Sequence, residues 1–283
     1  MKTIRTVADM RQALERPRIF GTIGLVPTMG ALHAGHVALI RTARRESDTL
    51  VASLFVNPAQ FNDPADLAAY PRDEVLDGHI FSEAGVDYLF APSVEELYAR
   101  GHATWVDVEG PAHGLEGAHR PGHFRGVATV CLKLFSIVAP RLAFFGQKDA
   151  QQVAVVTQMV QDLNMPVEIR VVPTVRDSDG LALSSRNARL SPEERTRALA
   201  IPRALDAGLA ASRAGHDPIA AARHELQGLD VDYVELAHFN GHPTLAIAAR
   251  AGRTRLIDNV RLDDDRAMPI LGGFGRQEPS DGH

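Results

Sequence analysis

Short apolar runs alternate with amphipathic stretches along the first two-thirds of the chain. The runs Ile19–Val26, Leu50–Val56, Tyr88–Phe90, Leu142–Phe145 and Val167–Val172 predict strands. Stretches near 36–47, 72–84, 123–138 and 149–163 predict helices. That alternation predicts an α/β fold, a doubly wound parallel sheet with helices on both faces. Ligands of such sheets bind beyond the carboxyl ends of the strands. Three polar or glycine-bearing segments sit at such ends: after Val26, after Val56 and after Phe145.

The pattern breaks twice. Residues 99–125 are rich in Gly, Pro and His and predict a long ordered loop or flap, interrupted by one short strand at Thr104–Val108. After Asn187 the character changes. Ser191-Pro192-Glu193-Glu194 predicts a helix start, with a capping hydroxyl, Pro in the first turn and acids at the positive dipole end. Pro202 predicts a kink or split in the Ala/Arg-rich helix that follows, and a second helix is expected after Asp217-Pro218. Two strands, Val231–Phe239 and Thr254–Arg261, close a smaller C-terminal α+β domain. The expected division is 1–175 for the sheet domain, 176–262 for a small lid domain, and 263–283 for a polar, largely disordered tail.

Size and composition exclude more than they select. A chain of 283 residues with 45% hydrophobic and 23% charged residues is in the ordinary globular range. A net charge of -5 offers no broad basic field, so nucleic-acid binding is not expected. No stretch reaches the roughly 18–20 apolar residues that span a bilayer, and the charged N-terminus is no secretory signal. The lone Cys131 sits in an apolar run and reads as a small buried side chain; it suits a reducing compartment, and a cytoplasmic location is expected.

The chemistry concentrates at the three strand ends. The first carries Met29-Gly30-Ala31-Leu32-His33-Ala34-Gly35-His36, a His-x-Gly-His pattern between a strand and a helix. Helix N-termini present unpaired N–H groups and a positive dipole end to anions, and two imidazoles add further donors. The second, Asn57-Pro58-Ala59-Gln60, offers uncharged groups that can orient hydroxyls or a carboxylate. The third, Gly146-Gln147-Lys148-Asp149, places a cation suited to phosphate at another helix start, with Gln152 one turn along the same face. Farther on, Leu183-Ser184-Ser185-Arg186 joins two hydroxyls to a guanidinium, a set that clasps phosphate oxygens. His113, His119 and His123 fall close together but lack cysteine partners or groups to orient their rings, and a polar loop explains the first two better than zinc does. His224-Glu225 lacks the second His of a zinc-protease site.

Taken in order, these segments resemble one family. Pro27-Thr28-Met29-Gly30 with His33 and His36 comes first, then Phe55-Val56-Asn57-Pro58 with Gln60-Phe61 and Tyr70-Pro71-Arg72. Arg120-Pro121 with His123-Phe124 and Gly126-Val127 follows, then Phe144-Phe145-Gly146 with Lys148-Asp149 and Gln151-Gln152. Pro173-Thr174-Val175-Arg176, Ser184-Ser185-Arg186-Asn187 and Asp258-Asn259 complete the set. Their order and spacing resemble the pantoate–β-alanine ligases, from about residue 4 to about 262.

That resemblance implies a Rossmann-like domain and an ATP-dependent, Mg²⁺-requiring condensation of (R)-pantoate with β-alanine. The reaction would run through pantoyl adenylate and release pyrophosphate and AMP. It implies that Met29, Gly30, Ala31, Leu32, His33, Ala34, Gly35 and His36 form the ATP turn, with His36 the proton donor and His33 and Lys148 beside it in catalysis. Gly146, Gln147, Lys148, Asp149, Val175, Leu183, Ser184, Ser185 and Arg186 would also contact ATP. Gln60 and Gln152 would bind pantoate, Gln60 would also neighbour β-alanine, and Asp77 matches an acidic position linked to Mg²⁺. A homodimer is implied as well.

The chain departs from the family pattern at Gln147, Ala150 and Leu183, where Glu, an aromatic and Met are usual. Two other readings stay open from sequence: a nucleotidyltransferase that stops at the nucleotidylated product, and a non-catalytic nucleotide-binding protein on the same fold. Gln60 and Gln152 argue against the first, and the intact His33, His36, Lys148 and Arg186 against the second.

Overall fold

The computed structural model describes residues 1–264 and Ile270, so the tail expected from 263 onward lies almost wholly outside the described residues. The chain divides into two compact units, one ending at Val175 and one beginning at Arg176. In the first, six parallel strands form a sheet: β1 (Lys2–Ile4), β2 (Ile23–Thr28), β3 (Thr49–Leu54), β4 (Tyr88–Phe90), β5 (Leu142–Gly146) and β6 (Glu168–Val172). Their spatial order is β1-β4-β3-β2-β5-β6.

Strand side chains alternate between two apolar layers, as the two-residue period requires. Leu25 and Val51 pack with Met10, Phe135 and Val156 from the helices Val7–Ala13, His123–Val138 and Ala150–Asp162. Val26, Leu50 and Ala52 pack on the other face with Ile40 and Phe81 from the helices Ala34–Glu46 and Glu74–Glu83. The sheet is therefore covered on both sides, and its central strands are mostly apolar rather than alternating apolar and polar.

Several boundaries differ from the sequence reading. Ile19 and Phe20 end the helix Glu15–Phe20 and are 73% and 78% exposed, so the apolar run there is not one strand. Thr104–Val108 forms no strand; Val106 N–H donates instead to Thr129 Oγ1. The 99–125 stretch is tied down by one buried side chain. Gln151 Nε2 donates to the carbonyls of Pro111, His113 and Gly114, and Gln151 Oε1 accepts the Glu116 N–H.

The second unit packs the helices Pro192–Ala198, Ala200–Arg213 and Pro218–Glu225 with an antiparallel sheet of β7 (Asp230–Phe239), β8 (His242–Ala251) and β9 (Thr254–Arg261). Ser191 caps the first of these in a capping box with Glu194, and the Ala/Arg-rich stretch splits at Leu199, with Pro202 in the first turn of the next helix. β8 was not foreseen. An Asn240-Gly241 turn, with φ of 51° and 83°, leads into it and is a strong hairpin signal.

Candidate active site

β2 meets its two neighbours unequally. It pairs with β3 from Ile23 through Thr28 but with β5 only at Gly24 and Leu25. Pro27, which has no N–H for a ladder, lies past the last β5 pair. β3 and β4 build outward on one side of β2, and β5 and β6 on the other, so the winding reverses between β2 and β5. The carboxyl ends of these two strands form the switch point where doubly wound sheets receive ligands.

The turn after β2 is held from below. Gly30 and Ala31 both adopt left-handed backbone, with φ of 82° and 52°. A Cβ at Gly30 would stand 2.6 Å from Asp77 Oδ2 and from Leu54 Cδ1, so only glycine fits. Asp77 is 2% exposed, and its two carboxylate oxygens accept the N–H groups of Ala31 and Leu32, each at 2.9 Å. Both oxygens of this side chain, expected from sequence to serve Mg²⁺, are engaged in shaping the turn.

The two histidines then start the helix Ala34–Glu46. His33 is its N-cap: His33 Nδ1 accepts the Gly35 N–H at 3.2 Å, and His36 Nδ1 accepts the His33 N–H at 3.3 Å. A backbone amide only donates, so each Nδ1 is unprotonated and each neutral ring carries its proton on Nε2. The ring centroids lie 4.1 Å apart. Burial, followed by Lys148, lowers the His33 pKa to about 4 against an opposing pull from Asp149. Burial, followed by His33, lowers His36 to about 3. Both rings are neutral at pH 7.

Lys148 and Asp149 face this pair from the end of β5. They lie in a short 3-10 turn, with Lys148 Nζ 3.4 Å from Asp149 Oδ1, and both act electrostatically on the histidines. A Cβ at Gly146 would meet no protein atom within 4 Å. Gln147 and Gln152 are half-buried at the same junction.

Gln60 occupies the end of β3, in a 3-10 turn capped by Asn57. It is 7% exposed; its Oε1 accepts from Asn57 Nδ2 at 3.1 Å, and its Nε2 lies 3.1 Å from Met29 Sδ. Its carbonyl accepts from His123 Nδ1 at 2.8 Å and from Arg120 at 3.3 Å. His123 Nε2 lies 3.2 Å from Arg120 Nη1, which can only donate, so this ring too is neutral and its tautomer fixed. Burial, then Arg120, lowers its pKa to about 4. Asn57 Nδ2 also donates to the Gly126 carbonyl, and a Cβ at Gly126 would approach Ala59 O to 2.3 Å. A cleft of about 340 Å³ opens beside Met29 and Asp77, with Pro58, Arg72 and Val94 in its walls.

The structure thus brings His33, His36, Lys148 and Asp149 together at one strand-end crevice and seats Gln60 against Met29 of the same turn. Asn57, Arg120, His123 and Gly126 belong to the scaffold of Gln60, a role that their sequence motif did not reveal. In the second unit, Ser184 Oγ accepts the Arg186 N–H at 3.2 Å, and the segment Ser185–Arg189 forms a 3-10 turn with half-buried Ser184, Ser185 and Arg186.

The sequence profile of the pantoate–β-alanine ligases matches residues 2–261. The chain belongs to the pantoate–β-alanine ligase family. It is 48% identical over 280 residues to the pantothenate synthetase of Moorella thermoacetica, covering 93% of this chain and 99% of that one. It is similar to the crystal structure of pantothenate synthetase from Thermus thermophilus, with TM-score 0.86 and 47% identity over 93% of this chain and 99% of that chain. The ligase of Francisella tularensis, complexed with beta-gamma ATP and β-alanine, superposes with TM-score 0.79 at 34% identity, covering 93% and 98%. The ligase family is enzymatic, and its α/β architecture is the one described above.

Among the described residues no helix is long and apolar enough to cross a membrane. Nor do they contain a cluster of three His, Cys, Asp or Glu side chains that would hold a metal ion.

Proposed function

We propose that this chain joins (R)-pantoate to β-alanine at the expense of ATP, through pantoyl adenylate. A carboxylate oxygen of pantoate attacks the α-phosphorus and pyrophosphate leaves. The β-alanine amine then attacks the acyl carbon, the acyl–oxygen bond breaks, and AMP departs with the carboxylate oxygen. The carrying observation is the pair of neutral imidazoles at the switch point, each with its Nδ1 capped by an amide and its Nε2–H left to donate.

In this reading, Nε2–H of His33 and of His36 hydrogen-bonds phosphate oxygens as charge shifts toward the leaving pyrophosphate. His36 acts as a fixed neutral donor rather than as an acid that gives up its proton. Fixed donors need no reorganisation during the reaction, which is where such sites gain most of their rate. Lys148 adds a point charge, and Ser184, Ser185 and Arg186 add further phosphate contacts. Gly146 lets the nucleotide approach the backbone, and Gln147, Asp149, Val175 and Leu183 complete the nucleotide contacts. Gln60 and Gln152 orient pantoate, whose carboxylate they can bind without protonating it, and Gln60 borders the β-alanine site. Asp77 positions the turn.

Mg²⁺ enters as part of the substrate, carried by the ATP phosphates and water, as this ion commonly is. The family resemblance supports a homodimer, and the ATP substrate and single buried cysteine support a cytoplasmic setting. Pantoate labelled with ¹⁸O in its carboxylate tests the route. Transfer of one label into AMP is the expected outcome; unlabelled AMP would exclude the adenylate.

A further inference from the structure

Ser184-Ser185-Arg186 directly follows a small hairpin, Arg176–Ala182, that is anchored at two points. Arg176 and Ala182 pair as an antiparallel bridge, Asp177 N–H donates to the Leu181 carbonyl, and Gly180 N–H closes the turn onto the Asp177 carbonyl. At the tip, Arg195 of the helix Pro192–Ala198 reaches Asp177 Oδ2 at 2.6 Å and Asp179 Oδ2 at 2.8 Å. These groups are partly exposed, and solvent screens them.

The base is held differently. Arg176 Nη1 and Nη2 grip both carboxylate oxygens of Asp258 on β9, at 2.6 and 3.1 Å. The side chains are only 12% and 2% exposed. Arg176 Nη1 also donates to the Gly180 carbonyl at 3.1 Å, so one guanidinium ties β9 to the far arm of the hairpin. Asp258 Oδ1 accepts the Asn259 N–H as well, which fixes the carboxylate. From the hairpin the order passes onward: Asn187 Nδ2 donates to the Ala182 carbonyl, and Asn187 N–H to the Ser184 carbonyl.

We infer that Asp258, acting through Arg176, is a positioning residue for the Ser184–Arg186 segment, and so for ATP. The inference rests on the reading of that segment as a phosphate contact. A buried bidentate pair is a poor source of net stability, because desolvation offsets its attraction, whereas its fixed geometry sets the place of what it holds. Removing the fork should let the hairpin base shift while the apolar core of the unit, centred on Leu205, Leu245 and Ile247, stays packed.

The test compares Asp258→Asn, Arg176→Lys and the apolar pair Arg176→Met/Asp258→Leu in the full chain, with Arg186→Ala as reference. Initial rates give KM for ATP and for β-alanine separately, and circular dichroism reports folding. Expected is a rise of about tenfold or more in the ATP KM of Asp258→Asn and Arg176→Lys, the cost of one charge-assisted contact, with the β-alanine KM unchanged. The apolar pair should fold and show the same ATP defect. An unchanged ATP KM in any folded variant of the pair, while Arg186→Ala raises it, would overturn the inference. So would loss of cooperative folding in all three, which would assign the pair to stability alone. An unchanged ATP KM in Arg186→Ala would instead overturn the phosphate reading on which the inference stands.

Discussion

His36 Nδ1 accepts the backbone N–H of His33 at 3.3 Å, so the second histidine reaches back to the N-cap residue of its own helix. His33 Nδ1 in turn accepts the Gly35 N–H. The motif spacing is therefore a capping geometry as well as a chemical one: a ring three residues along reaches back over the first turn, as a Glu does in a capping box. Each ring is left with a single orientation and a single tautomer.

Replacing His36 with Ala should leave the fold intact and lower kcat by about 10²-fold or more, the usual scale for an oxyanion-type donor. Steady-state kinetics at saturating ATP and pantoate check this. Turnover within a few-fold of the parent would remove His36 from the mechanism.

The lowered histidine pKa values carry a signed pH dependence. His33, His36 and His123 fall to about 4, 3 and 4 in the folded chain, below the ordinary value of 6.5. The unfolded chain therefore binds more protons between those limits, and stability rises with pH across that window. Stability should be full above about pH 6.5 and should decline as pH falls toward 4, as denaturant titrations can show. The acid limb of kcat should likewise lie well below pH 6.5. A limb at 6.5 that vanishes in His36→Ala would mean that His36 works as an acid.

Lys148→Ala should damage formation of the adenylate and spare the amine attack. Pantoate-dependent pyrophosphate release should fall sharply, whereas chemically prepared pantoyl adenylate should still react with β-alanine at near-parent rate. Normal pyrophosphate release in this variant would contradict the assignment.

Asp77→Ala should orphan the Ala31 and Leu32 amides beneath the turn. Each buried unpaired group costs about 1–3 kcal/mol, so the melting temperature should drop and the ATP KM should rise. The Mg²⁺ concentration for half-maximal rate, measured at fixed MgATP, should not move. A selective rise in that Mg²⁺ requirement with unchanged stability would return Asp77 to metal binding.

The sequence made the sheet, the strand-end motifs and the family legible because each leaves a local trace: apolar runs, a glycine turn, His-x-Gly-His. What it hid needed tertiary contact. β1 has three residues, Lys2–Ile4, too few to show a period. β8 is an Ala-rich strand, TLAIAA at its centre, which lacks the β-branched density that marks strands. Gln151 and Gln152 are adjacent and alike, yet only burial shows that Gln151 is spent on three loop carbonyls. Asp77 looks like any helix-start acid until its carboxylate is seen under the turn, 46 residues from Ala31. Arg176 and Asp258 stand 82 residues apart, and nothing local pairs them.

The central claim is an ordered two-step ligation, and pyrophosphate release tests it most directly. The protein is given ATP and Mg²⁺ alone, then with pantoate, then with pantoate and β-alanine. The account predicts no release without pantoate, a burst of about one equivalent per site with pantoate, and continuous release with AMP and pantothenate once β-alanine is present. Measurable ATP binding with no release under any combination would contradict it and leave a nucleotide-binding protein on a ligase fold.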